Sequence, residues 1–400
     1  SPLIAAAFLM ATSAIGPGFL TQTAVFTDRL GASFAFVILI SIILDIGVQL
    51  NIWRILAVSG MHAQELANTV LPGSGTLLSA LIAVGGLAFN VGNLAGTGLG
   101  LQVLTGIDTA TGAAISAIIA MFIFLVKNGL QKMDALAKAL GVLMIGLTAY
   151  VVHAADPPIG LALQGAIMPE KMDAQAVITL VGGTVGGYIC FAGGHRLLDS
   201  GVKGEAMLPR VDRSAITGIT LAAVMRILLF LAALGVVSQG MPLAANNPAA
   251  SVFRSAAGHL GHLLFGVVMW SAAITSVTGS AYTSVTFLKT FHPSLPKLEK
   301  WLIIGFIAIS AIIFISVGQP VKVLVVVGAL KLRELRNYPL ALAGAMGALI
   351  APPLLPLGWW VGGRAWRRLR DPAIRQQFDS VALPPRPRFS WFALLSVATT

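Results

Sequence analysis

Long apolar runs recur along all 400 residues of the chain, and they limit its fold more than any other feature. The chain is 56% hydrophobic and only 10% charged, whereas a soluble domain carries about 25% charged residues. A helix that crosses a bilayer needs about 20 predominantly apolar residues. The sequence therefore predicts an all-α, polytopic protein embedded in the lipid bilayer. The predicted segments are 3–28, 33–58, 76–104, 109–127, 134–154, 176–199, 214–240, 258–289, 300–318, 319–331 and 338–362.

Glycine interrupts two of these segments at matching places in the two halves of the chain. Residues 15–19 read Ile-Gly-Pro-Gly-Phe, and residues 182–188 read Gly-Gly-Thr-Val-Gly-Gly-Tyr. A break in a spanning helix is tolerated only where it lines protein or a water-filled cavity. Matched breaks point to the substrate site of a transporter, although close helix packing explains most glycines in membranes. We predict unwinding over 16–23 and over 183–187.

Charged residues lie mostly between or beyond the apolar runs. The net charge of +11 could suggest a nucleic-acid partner, but basic loops that stay in the cytoplasm explain it better. Lysine and arginine are concentrated after the fourth, sixth and eighth segments, so we place the amino terminus in the cytoplasm and expect a bacterial plasma membrane. The arginine-rich stretch 364–388 conflicts with eleven crossings, because it would then lie outside. A single cysteine, Cys190, excludes an internal disulfide.

Five motifs occur in the same order as in a known family. They lie at 16–19 (GPGF), 49–67 (QLNIWR, SG and ELA), 90–107 (NVGNLAGT and GI), 182–185 (GGTV) and 275–279 (TSVTG). Together they resemble the natural-resistance-associated macrophage protein (NRAMP) family of proton-coupled metal transporters. The resemblance implies the LeuT-type fold, in which two inverted five-helix repeats each unwind their first helix around the substrate.

The resemblance also implies how the chain is divided. We expect a single transmembrane transporter domain over 1–400, with repeat one at 3–154 and repeat two at 176–331, followed by an accessory helix and a basic tail at 338–400. We expect a monomer without a resident cofactor. Enzymatic activity is not expected, because the sequence has no HExxH motif, no paired intramembrane carboxylates and no Ser-His arrangement.

Departures from the family's motifs change the predicted substrate. The family binds its metal through a DPGN motif in the first helix and the Met of an MPH motif in the sixth. Here residues 21–28 read TQTAVFTD, and alignment on Gly-Thr-Val puts Gly186 at the Met position and Tyr188 at the His position. Soft divalent metals prefer thioether, imidazole or carboxylate ligands, so we predict poor binding of manganese and iron(II). The family's paired third-helix acids become Asn90 and Asn93, which removes that proton route.

Two half-helix N-termini with free N–H groups favour an anionic substrate. We therefore predict a secondary transporter that moves a small organic carboxylate or amino-acid-like solute by alternating access, and the resemblance suggests 5-oxoproline. The alternative is a divalent-cation transporter in keeping with the family, for magnesium or manganese, since hydrated magnesium needs few direct protein ligands. The predicted substrate-binding residues are Gly18, Thr21, Gln22, Thr23, Gly183, Thr184, Gly186, Gly187 and Tyr188.

Further polar residues within the apolar segments are candidates for ion coupling. Hydroxyls on the eighth helix of LeuT-type folds commonly hold sodium, although such hydroxyls also bond their own helix. Asp45 and Arg226 either form a structural ion pair or act in transport, and Arg196 is either an interfacial anchor or part of the substrate path. The coupling ion is predicted to be sodium or a proton. The candidates are Thr275, Ser276, Thr278, Asp45, Asn90, Asn93, His195, Arg196 and Arg226.

Overall fold

The computed structural model describes residues 2–244, 247–292 and 294–317. Seven segments of this described part are long and apolar enough to cross a membrane. The helices are α1 (Pro2–Ala14), α2 (Pro17–Leu30), α3 (Phe34–Ser59), α4 (Ala63–Val70), α5 (Ser74–Thr105), α6 (Thr109–Leu125), α7 (Gly129–Ala155), α8 (Ile159–Ile167), α9 (Ala174–Val185), α10 (Ile189–Asp199), α11 (Leu208–Ser238), α12 (Pro248–Leu288) and α13 (Glu299–Val317).

The predicted spans from 3–28 to 300–318 coincide with helices of the structure. The eighth span, predicted from residue 258, begins at a kink inside α12 where Ala257 and Gly258 leave the helical conformation. The spans at 319–331 and 338–362 and the basic tail lie outside the described residues. The division into one domain of two repeats therefore stays a prediction.

The first predicted break separates α1 from α2 at Ile15 and Gly16 alone. Gly16 has an extended backbone, with φ −107° and ψ 179°. Pro17 has no backbone N–H and disfavours the helical conformation in the residue before it, so the chain leaves the helix and starts again with proline in the first turn. The predicted unwinding over 16–23 is therefore too long. Residues 21–23 are helical.

The second break separates α9 from α10 at Gly186, Gly187 and Tyr188. Gly186 is extended, and Gly187 has φ +57°, a left-handed conformation that glycine adopts without steric cost. The predicted unwinding over 183–187 is displaced along the chain, because Gly183 is still part of α9. A single glycine is tolerated inside a helix, whereas the paired glycines after it end the helix.

Helix α1 lies in the interior, because it packs against α7, α10, α11 and α12. The same is true of the second half of α12, in which every residue of 271–287 is buried. Large apolar side chains on outer helices point away from this interior and are more than half exposed, among them Ile43, Val84, Phe122 and Ile312. A lipid-facing surface accounts for these exposed apolar residues. Both broken helices thus meet inside the bundle.

Candidate functional site

Gly183, near the end of α9, lies close to side chains of α2 and α11. An ideal Cβ atom at this glycine would lie 3.3 Å from Gln22 Oε1 and 3.9 Å from Arg226 Nη2. The side chain of Gln22 comes from α2 and that of Arg226 from α11. Because Gly183 has no side chain, an amide and a guanidinium reach the end of α9 together.

Arg226 occupies the middle of α11 and is only 3% exposed. Its guanidinium carbon lies 4.0 Å from the ring centroid of Phe19, in the first turn of α2, an arrangement that a desolvated cation–π contact stabilises. Its Nε atom is buried and has no hydrogen-bond partner among the described residues, and the same holds for Gln22 Oε1. A charged side chain within a spanning segment is costly and faces the bundle interior when it has a function.

A small cavity of about 10 Å³, room for about one water molecule, adjoins this guanidinium. Its polar lining consists of Ser41 and Asp45 from α3, Thr184 from α9 and Arg226 from α11, and Phe19 closes it on the side of α2. Asp45 is 2% exposed, and its charge interacts with that of Arg226. The structure therefore brings together residues of both breaks and both predicted intramembrane charges.

Tyr188, in the second break, contacts the chain beside the first break. It is 1% exposed, and its hydroxyl donates to the carbonyl of Ser13 at 3.4 Å, close to the end of α1. The hydroxyl also lies beside the side chains of Asn93 and Ser280. Asn93 in turn packs against Gly16, where an ideal Cβ atom would lie 3.2 Å from the Asn93 Oδ1 atom.

Most predicted hydroxyl groups bond to their own helices. The Oγ1 atoms of Thr23 and Thr184 donate to carbonyls four residues earlier, at 2.8 Å and 2.9 Å. Thr275 and Thr278 likewise donate within α12. Such back-bonding uses the donor, so these hydroxyls offer a ligand only their remaining lone pairs.

Ser276 differs from its neighbours on α12. Its Oγ atom donates to the carbonyl of Thr12 at 2.8 Å and lies 3.5 Å from that of Ile15, so it reaches the end of α1 beside the first break. Asn90, one turn before Asn93 on α5, donates to Ser310 Oγ at 3.2 Å. Of the predicted coupling residues, Ser276 alone is hydrogen-bonded to the carbonyls of the first helix in the described structure.

His195 and Arg196 lie away from this site, near the end of α10. The backbone N–H of Ala63 donates to His195 Nε2 at 3.2 Å, and Nδ1 lies 2.7 Å from Thr286 Oγ1. Arg196 makes a two-point ion pair with Asp134, at 3.2 Å and 2.6 Å. Both side chains are thus held by protein partners that tie α10 to its neighbours.

A cluster around Asp199 was not predicted from the sequence. Its carboxylate lies 3.1 Å from His62 Nε2 and accepts a hydrogen bond from the Tyr282 hydroxyl at 2.5 Å. Lys289 lies 3.9 Å from Asp199 and 2.6 Å from Glu299. We call these five residues the Asp199 network. Their shared signal in the sequence is an ionisable or hydroxyl group near the ends of four segments, on the side that the charge bias assigns to the cytoplasm.

A helical bundle in which two spanning helices break at one buried place is the architecture of a membrane transporter. The manganese transporter of Eremococcus coleocola, in complex with an aromatic bis-isothiourea substituted compound, has a TM-score of 0.67 at 15% identity and covers 99% of this chain and 91% of its own. MhsT in complex with L-phenylalanine gives 0.59 at 16% identity, over 92% of this chain and 97% of that one. The fold is thus of the LeuT type.

The sequence comparison identifies the family. The family model described as natural resistance-associated macrophage protein-like matches residues 7–335, so the chain belongs to the NRAMP family. The uncharacterized membrane protein YcsG of Bacillus subtilis (strain 168) is 59% identical over 330 residues, 82% of each chain. An uncharacterized membrane protein of Haemophilus influenzae is 55% identical over 328 residues, 82% of this chain and 83% of that one.

Proposed function

We propose that this membrane transporter is a secondary transporter that moves a small organic carboxylate by alternating access. The observation that supports this most is the meeting of the two helix breaks at one buried place. Helices α2 and α10 both begin there. Helix N-termini favour anionic groups through their free N–H groups and the helix dipole. The buried guanidinium of Arg226 adds a permanent positive charge.

The side chains at the breaks support an organic anion over a transition metal. Gly186 and Tyr188 stand where the family has a methionine and a histidine, so neither a thioether nor an imidazole is offered there. Within the described residues, no three His, Cys, Asp or Glu side chains converge into a group that could hold a metal ion. A cation entering this cavity would also meet the charge of Arg226.

Transport into proteoliposomes tests this proposal. The purified chain should take up radiolabelled 5-oxoproline or another compact amino-acid-like carboxylate in a saturable way, and the same carboxylate should raise its unfolding temperature, because a ligand that prefers the folded state stabilises it. Manganese should do neither. Saturable manganese uptake without any carboxylate uptake would overturn the proposal.

A divalent cation remains the second candidate because of one observation. The cavity contains the carboxylate of Asp45 and the hydroxyl of Ser41, and hard cations such as magnesium take oxygen ligands and keep several of their waters. The structurally similar Eremococcus coleocola protein is a manganese transporter. Magnesium uptake in the same vesicles, measured with an internal magnesium dye, separates the two candidates.

We propose sodium as the coupling ion. The supporting contact is Ser276, whose hydroxyl reaches the carbonyls of Thr12 and Ile15 across the gap between α12 and α1. Oxygen ligands of this kind suit a hard cation. A proton route through α5 is unsupported, because Asn90 and Asn93 carry amides that neither gain nor lose a proton near neutral pH.

A further inference from the structure

Arg226 and Asp45 place a positive and a negative charge in the lining of one small cavity. Both side chains are buried, both line the cavity, and their charges interact. We infer that Arg226 binds the carboxylate of the substrate and that Asp45 accepts a hydrogen bond from an N–H group beside that carboxylate. This inference rests on the proposed function and deepens it, because it names the two residues that select the substrate.

The surroundings of Arg226 leave one of its donors, Nε, without a partner among the described residues. Phe19 covers one face of the guanidinium at 4.0 Å, whereas the five N–H groups of an arginine lie in the plane of the group and point outward from its edge. An Arg–carboxylate contact uses two parallel N–H donors, and the Nε donor can be one of them when the site opens to admit a substrate.

The glycine at position 183 supports the same role. Its missing side chain leaves the space between Gln22 Oε1 and Arg226 Nη2, at 3.3 Å and 3.9 Å from an ideal Cβ atom. The Gln22 Oε1 atom is also buried without a partner among the described residues. Buried polar atoms are usually hydrogen-bonded, so a ligand that accepts from Arg226 and donates to Gln22 Oε1 would satisfy both.

Asp45 determines which carboxylates fit. An ionised aspartate accepts hydrogen bonds and donates none, so a ligand that draws Arg226 toward its own carboxylate must offer Asp45 a donor in return. An N–H group next to the carboxylate meets this requirement. The cavity, at about 10 Å³, is far below the range of drug-sized pockets, so the site must widen to admit any substrate, and a compact substrate requires the least widening. The expected substrate class is therefore compact α-amino acids and cyclic acids whose ring N–H adjoins the carboxylate.

A purely structural ion pair between α3 and α11 is the competing explanation. Both explanations predict a loss of stability when one charge is removed, because a buried partner is left uncompensated. Only substrate recognition predicts a change in the preference for an acid over its own carboxamide. That preference is a ratio of two affinities for the same protein sample, so a general loss of stability does not alter it.

Binding of matched acids and amides to the full purified chain provides the test. The probes are 5-oxoproline, proline and alanine, each with its carboxamide, measured by isothermal titration. The wild-type protein should prefer the acid by roughly 10- to 100-fold, the range expected for a hydrogen bond to a charged group. Arg226→Gln should bring the ratio close to one. Arg226→Lys should give an intermediate ratio, because lysine keeps the charge and loses the two-point contact.

Two further variants keep the test decisive. The double variant Asp45→Asn with Arg226→Gln removes both charges together, which avoids an uncompensated charge if Arg226→Gln alone does not fold. Arg213→Gln, on the exposed start of α11, should keep the wild-type ratio. An acid preference that survives in the Arg226→Gln or the double variant would overturn the inference and leave the proposed function intact. If the wild-type protein binds none of the acids, the proposed function is wrong as well.

The role of Asp45 is tested separately with 5-oxoproline and its lactone analogue, 5-oxotetrahydrofuran-2-carboxylate, in which a ring oxygen replaces the N–H group. The wild-type protein should prefer the lactam by roughly tenfold, the value of one hydrogen bond to a charged acceptor. Asp45→Asn should reduce that preference while the acid remains preferred over the amide. If Asp45→Asn leaves the lactam preference unchanged, a group other than Asp45 accepts the hydrogen bond from the N–H.

Discussion

Two clusters of polar side chains in the same bundle differ in how their hydrogen bonds are satisfied. Around the breaks, Ser13 Oγ, Gln22 Oε1, Asn93 Nδ2 and Arg226 Nε are buried and have no partner among the described residues. In the Asp199 network, each ionisable side chain lies within contact distance of a partner. Groups left unpaired inside a protein are costly, so the four beside the breaks, which are among several in the described residues, favour a binding site there. The paired network indicates a structural role.

The largest expected effect tests the structural role assigned to the Asp199 network. Asp199→Asn should lower the free energy of unfolding by about 3 kcal/mol, because it removes the carboxylate partner of His62 and of the Tyr282 hydroxyl in a mostly buried setting, while Lys289 keeps Glu299. The measurement is the unfolding temperature of the detergent-solubilised protein, followed by tryptophan fluorescence. Substrate affinity of the folded fraction should remain at the wild-type value, since the network lies outside the proposed site.

An exposed ion pair provides the control for Asp199. Arg54 and Asp212 form a two-point contact at 2.7 Å and 2.9 Å, but the Arg54 side chain is 46% exposed. Asp212→Asn should therefore cost no more than about 1 kcal/mol. Equal shifts in the two variants, or a loss of substrate binding in Asp199→Asn, would remove the distinction between network and site.

The next effect concerns the space at the breaks. Gly183→Val should weaken carboxylate binding by at least about tenfold, since even one methylene that does not fit a pocket costs that much. The matched control is Gly146→Val on α7, because an ideal Cβ atom there has no neighbour within 4 Å. Binding by titration and the unfolding temperature should be measured for both. Wild-type affinity in Gly183→Val would place the substrate elsewhere.

A smaller effect is expected for the sodium contact. Ser276→Ala should raise the sodium concentration required for half-maximal uptake by roughly 3- to 10-fold, the value of a typical hydrogen-bonding group. Thr217→Ala serves as the control, because its exposed hydroxyl bonds within α11. Uptake in vesicles with and without sodium checks this. Wild-type uptake that does not depend on the sodium concentration would exclude sodium coupling.

The last prediction is that no protons move through α5 during uptake. Asn90→Ala and Asn93→Ala should leave the internal pH of the vesicles unchanged during uptake, because neither amide titrates near neutral pH. A pH dye trapped inside proteoliposomes measures this. Acidification that follows substrate entry and disappears in either variant would show that α5 does carry protons.

The positions of the two helix breaks could be predicted from the sequence because backbone chemistry determines them locally. A proline after Gly16 and the paired glycines at 186–187 interrupt helices whatever surrounds them, and the structure confirms both breaks. Their extent could not be predicted as well. Residues 21–23 and Gly183 remain helical because the adjacent turns continue their hydrogen bonds, and a run of polar residues does not reveal this.

The sequence predicts only some of the contacts between residues that lie far apart in the chain. Asp45 and Arg226 were predicted as partners because each is a charge within an apolar span, and they do share a cavity. The Asp199 network was missed, since it joins residues more than 80 positions apart, such as Asp199 and Tyr282. Arg196 bonds Asp134 on α7, which no local pattern indicates.

The most direct test is an experimental structure of the full chain with bound 5-oxoproline, compared with one in manganese or magnesium. We expect planar density between α2 and the α9–α10 break, with its carboxylate within hydrogen-bond distance of Arg226 and its ring N–H facing Asp45. A spherical peak beside Asp45, surrounded by waters in octahedral geometry, with the guanidinium turned away, would contradict it.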